Sequence, residues 1–248
     1  MADRKLITPR FKAIIGDVEL SDGITAECYS STTDRCNYAV IDLDKRLIGS
    51  VELSDMMPAK VQLGYDDDFD TIVSGYVQLD RSGGGKVHIL DDTVLLMRTR
   101  ITATFVDSRP QDIIRYGLER AGVTNYQLAD AYHPACVSMP VYNASVLDLI
   151  ALVNKKWDID ADYYFVNGCF HWDTGTDQED IYILEEGKNI LAYTEFCNER
   201  EVKTIGIPWI HQGELVEIRH SRYSGQVRVT ATKVKRDEKG QVRMFLTF

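Results

Sequence analysis

The sequence predicts a mainly β protein with an α+β insertion: β-rich parts at residues 1–106 and 176–248 flank a small mixed α/β unit at residues 107–175. Two observations predict this. At both ends, short runs alternate apolar and polar residues and break at turns carrying Gly or Asp, the period-two signature of half-buried strands. Between them lie two stretches that open on helix-capping residues and then place apolar residues every three or four positions.

In the first part, Phe11–Leu20, Thr25–Tyr29, Asn37–Leu43 and Leu47–Leu53 alternate and are separated by Ser-Asp-Gly, Thr-Thr-Asp and Asp-Lys-Arg turns. Lys60–Tyr65 and Thr71–Leu79 flank the acidic turn Asp66-Asp-Asp-Phe-Asp70 and read as a long hairpin. Lys86–Leu90 follows a Ser82-Gly-Gly-Gly loop as a further strand. Asp91–Arg98 suits a short Asp-capped helix, although Thr93–Met97 would also suit a strand.

In the middle, Ser108-Arg-Pro-Gln111 has the form of a capping box with Pro in the first turn. Ile113, Ile114, Gly117, Leu118 and Ala121 then share a face, and Gly122 is placed to end the helix. Ser145-Val-Leu-Asp148 opens a second helix with a stripe of Val146, Leu149, Ile150, Val153 and Trp157. Asn167-Gly168 between Tyr163–Val166 and Cys169–Trp172 is a strong hairpin signal. In the last part Gly206–Ile218, Tyr223–Thr232 and Lys239–Phe248 are alternating runs that read as half-buried strands, broken at turns carrying Gly such as Gln212-Gly-Glu214 and Ser224-Gly225. Ser74-Gly-Tyr-Val-Gln-Leu79 and Ser224-Gly-Gln-Val-Arg-Val229 share a Ser-Gly-x-Val-x-aliphatic pattern, which raises an internal duplication.

The composition is that of an ordinary globular chain: 44% hydrophobic and 27% charged over 248 residues. No apolar run approaches the roughly 20 residues that span a membrane, so no membrane-spanning segment is expected. Met1-Ala-Asp-Arg-Lys-Leu-Ile7 carries no signal-peptide core, which sets the expectation of folding in a cytoplasm. The net charge of −10 argues against tight binding to phosphate backbones, which needs a basic footprint. Cys28, Cys36, Cys136, Cys169 and Cys197 are odd in number and none forms a Cys-x-x-Cys pair, so they read as small hydrophobes in a reducing compartment.

Candidate chemistry is thin. Asp66, Asp67, Asp68 and Asp70 are the densest carboxylate cluster. A glycosidase needs two acids facing across a cleft, whereas adjacent Asp residues at a hairpin tip serve the turn. Neither that stretch nor Asp173–Asp180 has the spacing of an EF-hand loop. His88, His133, His171, His211 and His220 show no metal-ligating spacing, and His133-Pro-Ala-Cys136 lacks a second pair. Ser82-Gly-Gly-Gly-Lys86 lacks the residues of a phosphate loop and lies between strands. No catalytic, cofactor-binding or metal-binding residue is expected, and no cofactor.

The Gly-x-Pro, Gln-Gly-Glu and Ser-Gly segments of residues 206–248 resemble the closing barrel of the phage late control D family, the baseplate hub proteins of contractile tails, tailocins and related injection systems. Val61-Gln-Leu-Gly-Tyr-Asp-Asp and Ile72-Val-Ser-Gly-Tyr-Val are similar to the first barrel of such hubs. Arg100–Ile114, Ala121-Gly122 and Ala144–Ile150 are similar to the helical unit of Gram-positive phage and tailocin members. The resemblance runs from about residue 51 onward.

It implies two tail-tube-like β-barrels flanking the α/β unit and a homotrimeric ring. Such a ring adapts a six-fold tail tube to a three-fold spike, with tail tube protein and spike protein as partners. DNA is expected at most in transit through the channel. The protein is expected in the tail baseplate of a virion or phage-like particle, assembled in the host cytoplasm. The competing expectation is a baseplate-associated peptidoglycan hydrolase; the residues favour the structural reading, because no His-metal, Cys-His or spaced acid pair is evident.

Overall fold

Val, Ile, Thr and Tyr at alternate positions drive most of this chain into strands, since branched and aromatic side chains fit a pleated, half-buried surface. The computed structural model describes residues 8–49, 51–79, 85–176, 178, 180–197 and 199–248. By their contacts these fall into two units, one of residues 1–91 with 176–248 and one of residues 92–175. The division therefore lies at 91/92, ahead of the boundary at 106 read from the sequence. The strand-like Arg100–Val106 region belongs with the helices, because its inward residues Ile101, Ala103 and Phe105 pack on the helical core.

The first unit holds β1 (Arg10–Ile15), β2 (Val18–Leu20), β3 (Ile24–Ser31), β4 (Tyr38–Leu43), β5 (Pro58–Tyr65), β6 (Asp68–Gln78) and β7 (Lys86–Leu90). The second holds α1 (Thr93–Arg98), β8 (Arg100–Ser108), α2 (Pro110–Ala121), β9 (Tyr126–Leu128), β10 (Cys136–Ser145), α3 (Val146–Trp157), β11 (Tyr163–Val166) and β12 (Cys169–Trp172). The chain then returns to the first unit with β13 (Tyr182–Glu185), β14 (Ile190–Phe196), β15 (Glu199–Ile205), β16 (Leu215–His220), β17 (Tyr223–Arg228), β18 (Ala231–Arg236) and β19 (Val242–Thr247).

Strands from the two ends of the chain join in one eleven-stranded sheet, ordered β14-β15-β19-β18-β3-β4-β7-β6-β5-β1-β2. The seam is the antiparallel pair β3 and β18, from Ala26↔Arg236 to Ser31↔Ala231. Outward from the seam, one side reads β3, β4, β7, β6 and the other β18, β19, β15, β14. Each quartet consists of two antiparallel hairpins in the same arrangement. Read along the sheet, β14-β15-β19-β18 and β3-β4-β7-β6 match strand for strand in the same chain order and the same directions, so the two quartets repeat in tandem. Among the described residues no pairing closes this sheet into a barrel. A three-stranded sheet, β13-β16-β17, completes the unit. Both ends feed one hydrophobic core, with Ala13, Ile41, Val61 and Ile89 beside Val202, Val234, Met244 and Leu246.

This arrangement corrects the alignment of Ser74-Gly75 with Ser224-Gly225. Ser74-Gly75 lies in β6, far from its hairpin turn, where Ser74 pairs with Lys60. Ser224-Gly225 lies in β17 of the other sheet, next to the turn that joins His220 to Tyr223. The topological counterpart of β6 is β18, not β17, so the dipeptide match is coincidence. Two further strand readings give way. Residues 44–49 and 51–57 form turns and irregular chain, so Leu47–Leu53 is no strand. Residues 206–214 form a buried loop. The Ser82-Gly-Gly-Gly loop lies outside the described residues.

In the other unit, α2 and α3 pack on a core of Ile113, Ile114, Leu118, Leu149, Ile150, Val153 and Trp172. The cap of α2 falls one residue later than read. Arg109 is the N-cap, its N–H donating to Asp112 Oδ2 at 3.3 Å, while Ser108 Oγ donates to the Val106 carbonyl. Gly122 ends the helix at φ +80, as expected. Ser145 caps α3: its Oγ accepts from the Asp148 N–H at 3.0 Å, and its own N–H donates to Asp148 Oδ2 at 3.3 Å. Asn167 and Gly168, both at positive φ, make the two-residue turn between β11 and β12.

Candidate functional site

The acidic hairpin tip is split by the geometry of its turn. Asp66, at φ +55, and Asp67 occupy the two turn positions, with Tyr65 paired to Asp68 across them. Asp66, Asp67 and Asp68 are exposed, and Asp67 meets Arg10 in a surface ion pair at 3.4 Å. Asp70, two positions into β6 from Asp68, turns inward. Its Oδ2 lies 3.2 Å from His211 Nε2 on the buried 206–214 loop.

That loop is held as one piece. Tyr65 Oη donates to the Gly206 carbonyl at 2.6 Å, and the His211 N–H donates to Glu214 Oε2 at 3.1 Å. Burial pushes the Glu214 carboxyl above the usual glutamate range; the His211 N–H and ring oppose this and Asp70 adds to it. Asp70, His211 and Glu214 thus form a polar knot tying the β5–β6 hairpin to the loop ahead of β16. His211 is buried while Asp70 and Glu214 are half-buried, and the knot resembles no acid pair flanking a substrate cleft. Sequence reading missed it because the partners stand 141 residues apart.

The remaining candidates stay scattered. His171 stacks on Tyr164 and meets Thr174 Oγ1 at 3.1 Å. His220 stacks on Tyr193 with ring centroids 4.6 Å apart and faces Glu186 at 3.5 Å. Cys36 Sγ donates to Asp91 Oδ1 at 3.2 Å, and burial holds its thiol far above the usual range, which makes it inert. Burial does the same to Cys28. Cys136 is buried in β10 while His133 packs edge-on to Trp172, so that pair serves the core. No group of three His, Cys, Asp or Glu residues is arranged to hold a metal ion among the described residues. An open groove of about 790 Å³ lies along the turns at Asp22–Thr25 and Asp42–Lys45 and against Arg236 and Lys239. Arg236 is spent there on the backbone carbonyls of Ile24 and Ser21.

What the molecule does present is strand edge and bare face. The eleven-stranded sheet ends on β14 at one side and β2 at the other. The ribbon of β8 and β10 is two-stranded, with no further strand along either edge among the described residues. Unpaired edges of this kind are covered in natural proteins, often by another chain.

The fold has close parallels. A 43 kDa tail protein of prophage MuSo2 from Shewanella oneidensis matches with a TM-score of 0.70 at 11% identity, over 96% of this chain and 97% of that one. A tail protein from Neisseria meningitidis MC58 matches with a TM-score of 0.73 at 8% identity, over 97% and 96%. The E. coli c3393 protein matches with a TM-score of 0.66 at 13% identity, over 95% and 76%. It is described as a component of the type VI secretion system with structural similarity to T4 bacteriophage tail proteins gp27 and gp5. No protein-family model matches the chain, and no curated protein matches it in sequence. The chain has the mainly β fold of phage tail proteins.

Proposed function

We propose that this protein is a structural component of a phage-like tail or injection system, a baseplate hub forming a trimeric ring between the six-fold tube and the three-fold spike. The observation that carries this reading is the likeness in fold to tail proteins along nearly the whole length of both chains. The internal repeat supports it. Two pseudo-equivalent half-sheets per chain give six in a trimer, matching a six-fold tube above while the chain itself repeats three times. In this reading each half, completed by its neighbouring strands, acts as a tube-like barrel. Ring closure covers the end strands without making fibres. Tail tube protein and spike protein are the proposed partners, the tail baseplate is the proposed location, and turnover is no part of the role.

The test is the assembled particle. Electron cryomicroscopy of a purified particle carrying this chain is expected to place three copies around the axis between tube and spike. Six copies, or a position on peripheral arms, would remove the adaptor role. A parallel cell-wall clearing assay is expected to be negative; clearing by the purified chain would favour the hydrolase reading.

A further inference from the structure

The outer face of the eleven-stranded sheet carries a block of cations that the chain itself leaves unmatched. On β15, β19, β18 and β3 the residues Val202, Met244, Val234 and Cys28 point into the core. The alternate residues therefore share the opposite face. Cross-strand register lines up Lys203, Phe245, Lys233, Tyr29 and Tyr38 in one row, and Arg243, Lys235 and Glu27 in the next. The ammonium groups of Lys203 and Lys233 lie 5.5 and 5.6 Å from the centre of the same Phe245 ring. Lys235 stands directly across from Arg243.

Such a block works against the fold. Like charges opposite each other on neighbouring strands repel, and Lys203, Lys233 and Arg243 are half-buried, so they have also lost hydration. Glu27 is the acid within these two rows, and Lys235 takes it at 2.6 Å. Among the described residues Lys203, Lys233 and Arg243 meet no carboxylate; Arg243 donates to the Val242 carbonyl and to Gln241 Oε1 instead. Further acids stand only at the border. Glu201 lies one row beyond Lys203, Asp42 one row beyond Glu27, and Asp34 accepts from the Tyr29 hydroxyl. In a chain with 38 acidic and 28 basic residues, four bases around one acid reverse the overall balance.

We propose that this face binds an acidic segment of a partner protein, with its carboxylates seated among Lys203, Lys233 and Arg243 and its apolar side chains along Phe245 and Tyr38. Charge complementarity selects an anion, because only an added negative group relieves the unmatched cations. The rings select protein over nucleic acid. Phe245 already carries two ammonium groups, and Tyr29 tilts onto Tyr38 with ring centroids 5.5 Å apart, so the row offers no clear platform for stacking bases. The net charge of −10 also repels a long polyanion, whereas a short acidic segment needs only the local block.

The test uses the full chain and a fluorescein-labelled decapeptide alternating Glu with Val, read by fluorescence anisotropy at low salt beside a labelled oligo-dT of similar length. The peptide is expected to bind, and Lys203→Glu and Lys233→Glu should each weaken it about tenfold. Lys60→Glu, the same charge change at an exposed position of β5, should alter it little. Thermal melting of the free chain separates binding from folding. Lys203→Met and Lys233→Met relieve the repulsion, so each should leave the midpoint unchanged or higher while weakening the peptide. Lower midpoints in both would assign the lysines to the fold and overturn the proposal. No peptide binding, or binding that ignores changes at Lys203 and Lys233, overturns it as well. Tighter binding of oligo-dT that the same variants abolish overturns the protein partner in favour of nucleic acid.

Discussion

Glu214 shows how a half-buried acid contributes to the response of the fold to pH. Its carboxyl is raised above the ordinary glutamate pKa of 4.5, chiefly by burial. From 4.5 up to that raised value the native state holds more protons than the unfolded chain, so stability falls as pH rises through this interval. Glu214→Gln keeps an acceptor for the His211 N–H and removes the charge. Its thermal midpoint should gain on the parent progressively as pH rises above 4.5; a constant offset at all pH values would show that charge plays no part. Gly75 is constrained by space: a Cβ there would lie 1.9 Å from the Leu90 carbonyl oxygen, where β6 crosses the end of β7. Gly75→Ala should cost on the order of 3 kcal/mol in urea unfolding, since backbone blocks the added methyl. Such constraints escape sequence reading for a common reason. Asp70 looks like one more solvated turn acid, and only the fold brings His211 to it.

At the scale of elements, what was legible was what is local. The Ser145–Asp148 box, the Gly122 stop and the Asn167-Gly168 turn each depend on residues within four positions, and all three form where read. Ser145→Ala should lower stability by about 1 kcal/mol, measured by denaturant unfolding, through loss of the bond to the Asp148 N–H. Non-local pairing was not legible. Residues 206–214 alternate well enough to suggest a strand, yet Pro208 lacks a ladder donor and the segment is buried as a loop against Tyr65. The tandem quartets were not legible either, because their equivalence lies in which strands pair across the sheet, and the dipeptide match points to β17 instead of β18. The 92–175 unit, by contrast, has its own core around Ile113, Leu149 and Trp172. Expressed alone, it should fold, with dispersed amide resonances and cooperative melting; a collapsed, poorly dispersed spectrum would show that it depends on the flanking sheet.

For the whole molecule, the argument turns on where its charge lies in the proposed ring. The chain carries 38 acidic and 28 basic residues. A polyanion passing through a basic lumen would displace counterions at every phosphate contact and be held there, with a steep dependence on salt. An acidic or neutral lumen avoids this, so the pore of the assembled ring is expected to be lined by more Asp and Glu than Lys and Arg. Part of the excess is already placed. Asp66, Asp67 and Asp68 stand exposed at one hairpin tip, while Asp70 is committed to His211 and contributes nothing to a pore. If a particle structure shows a pore lined mainly by Lys and Arg, the acidic excess sits outside the ring, and nucleic-acid transit loses its physical support.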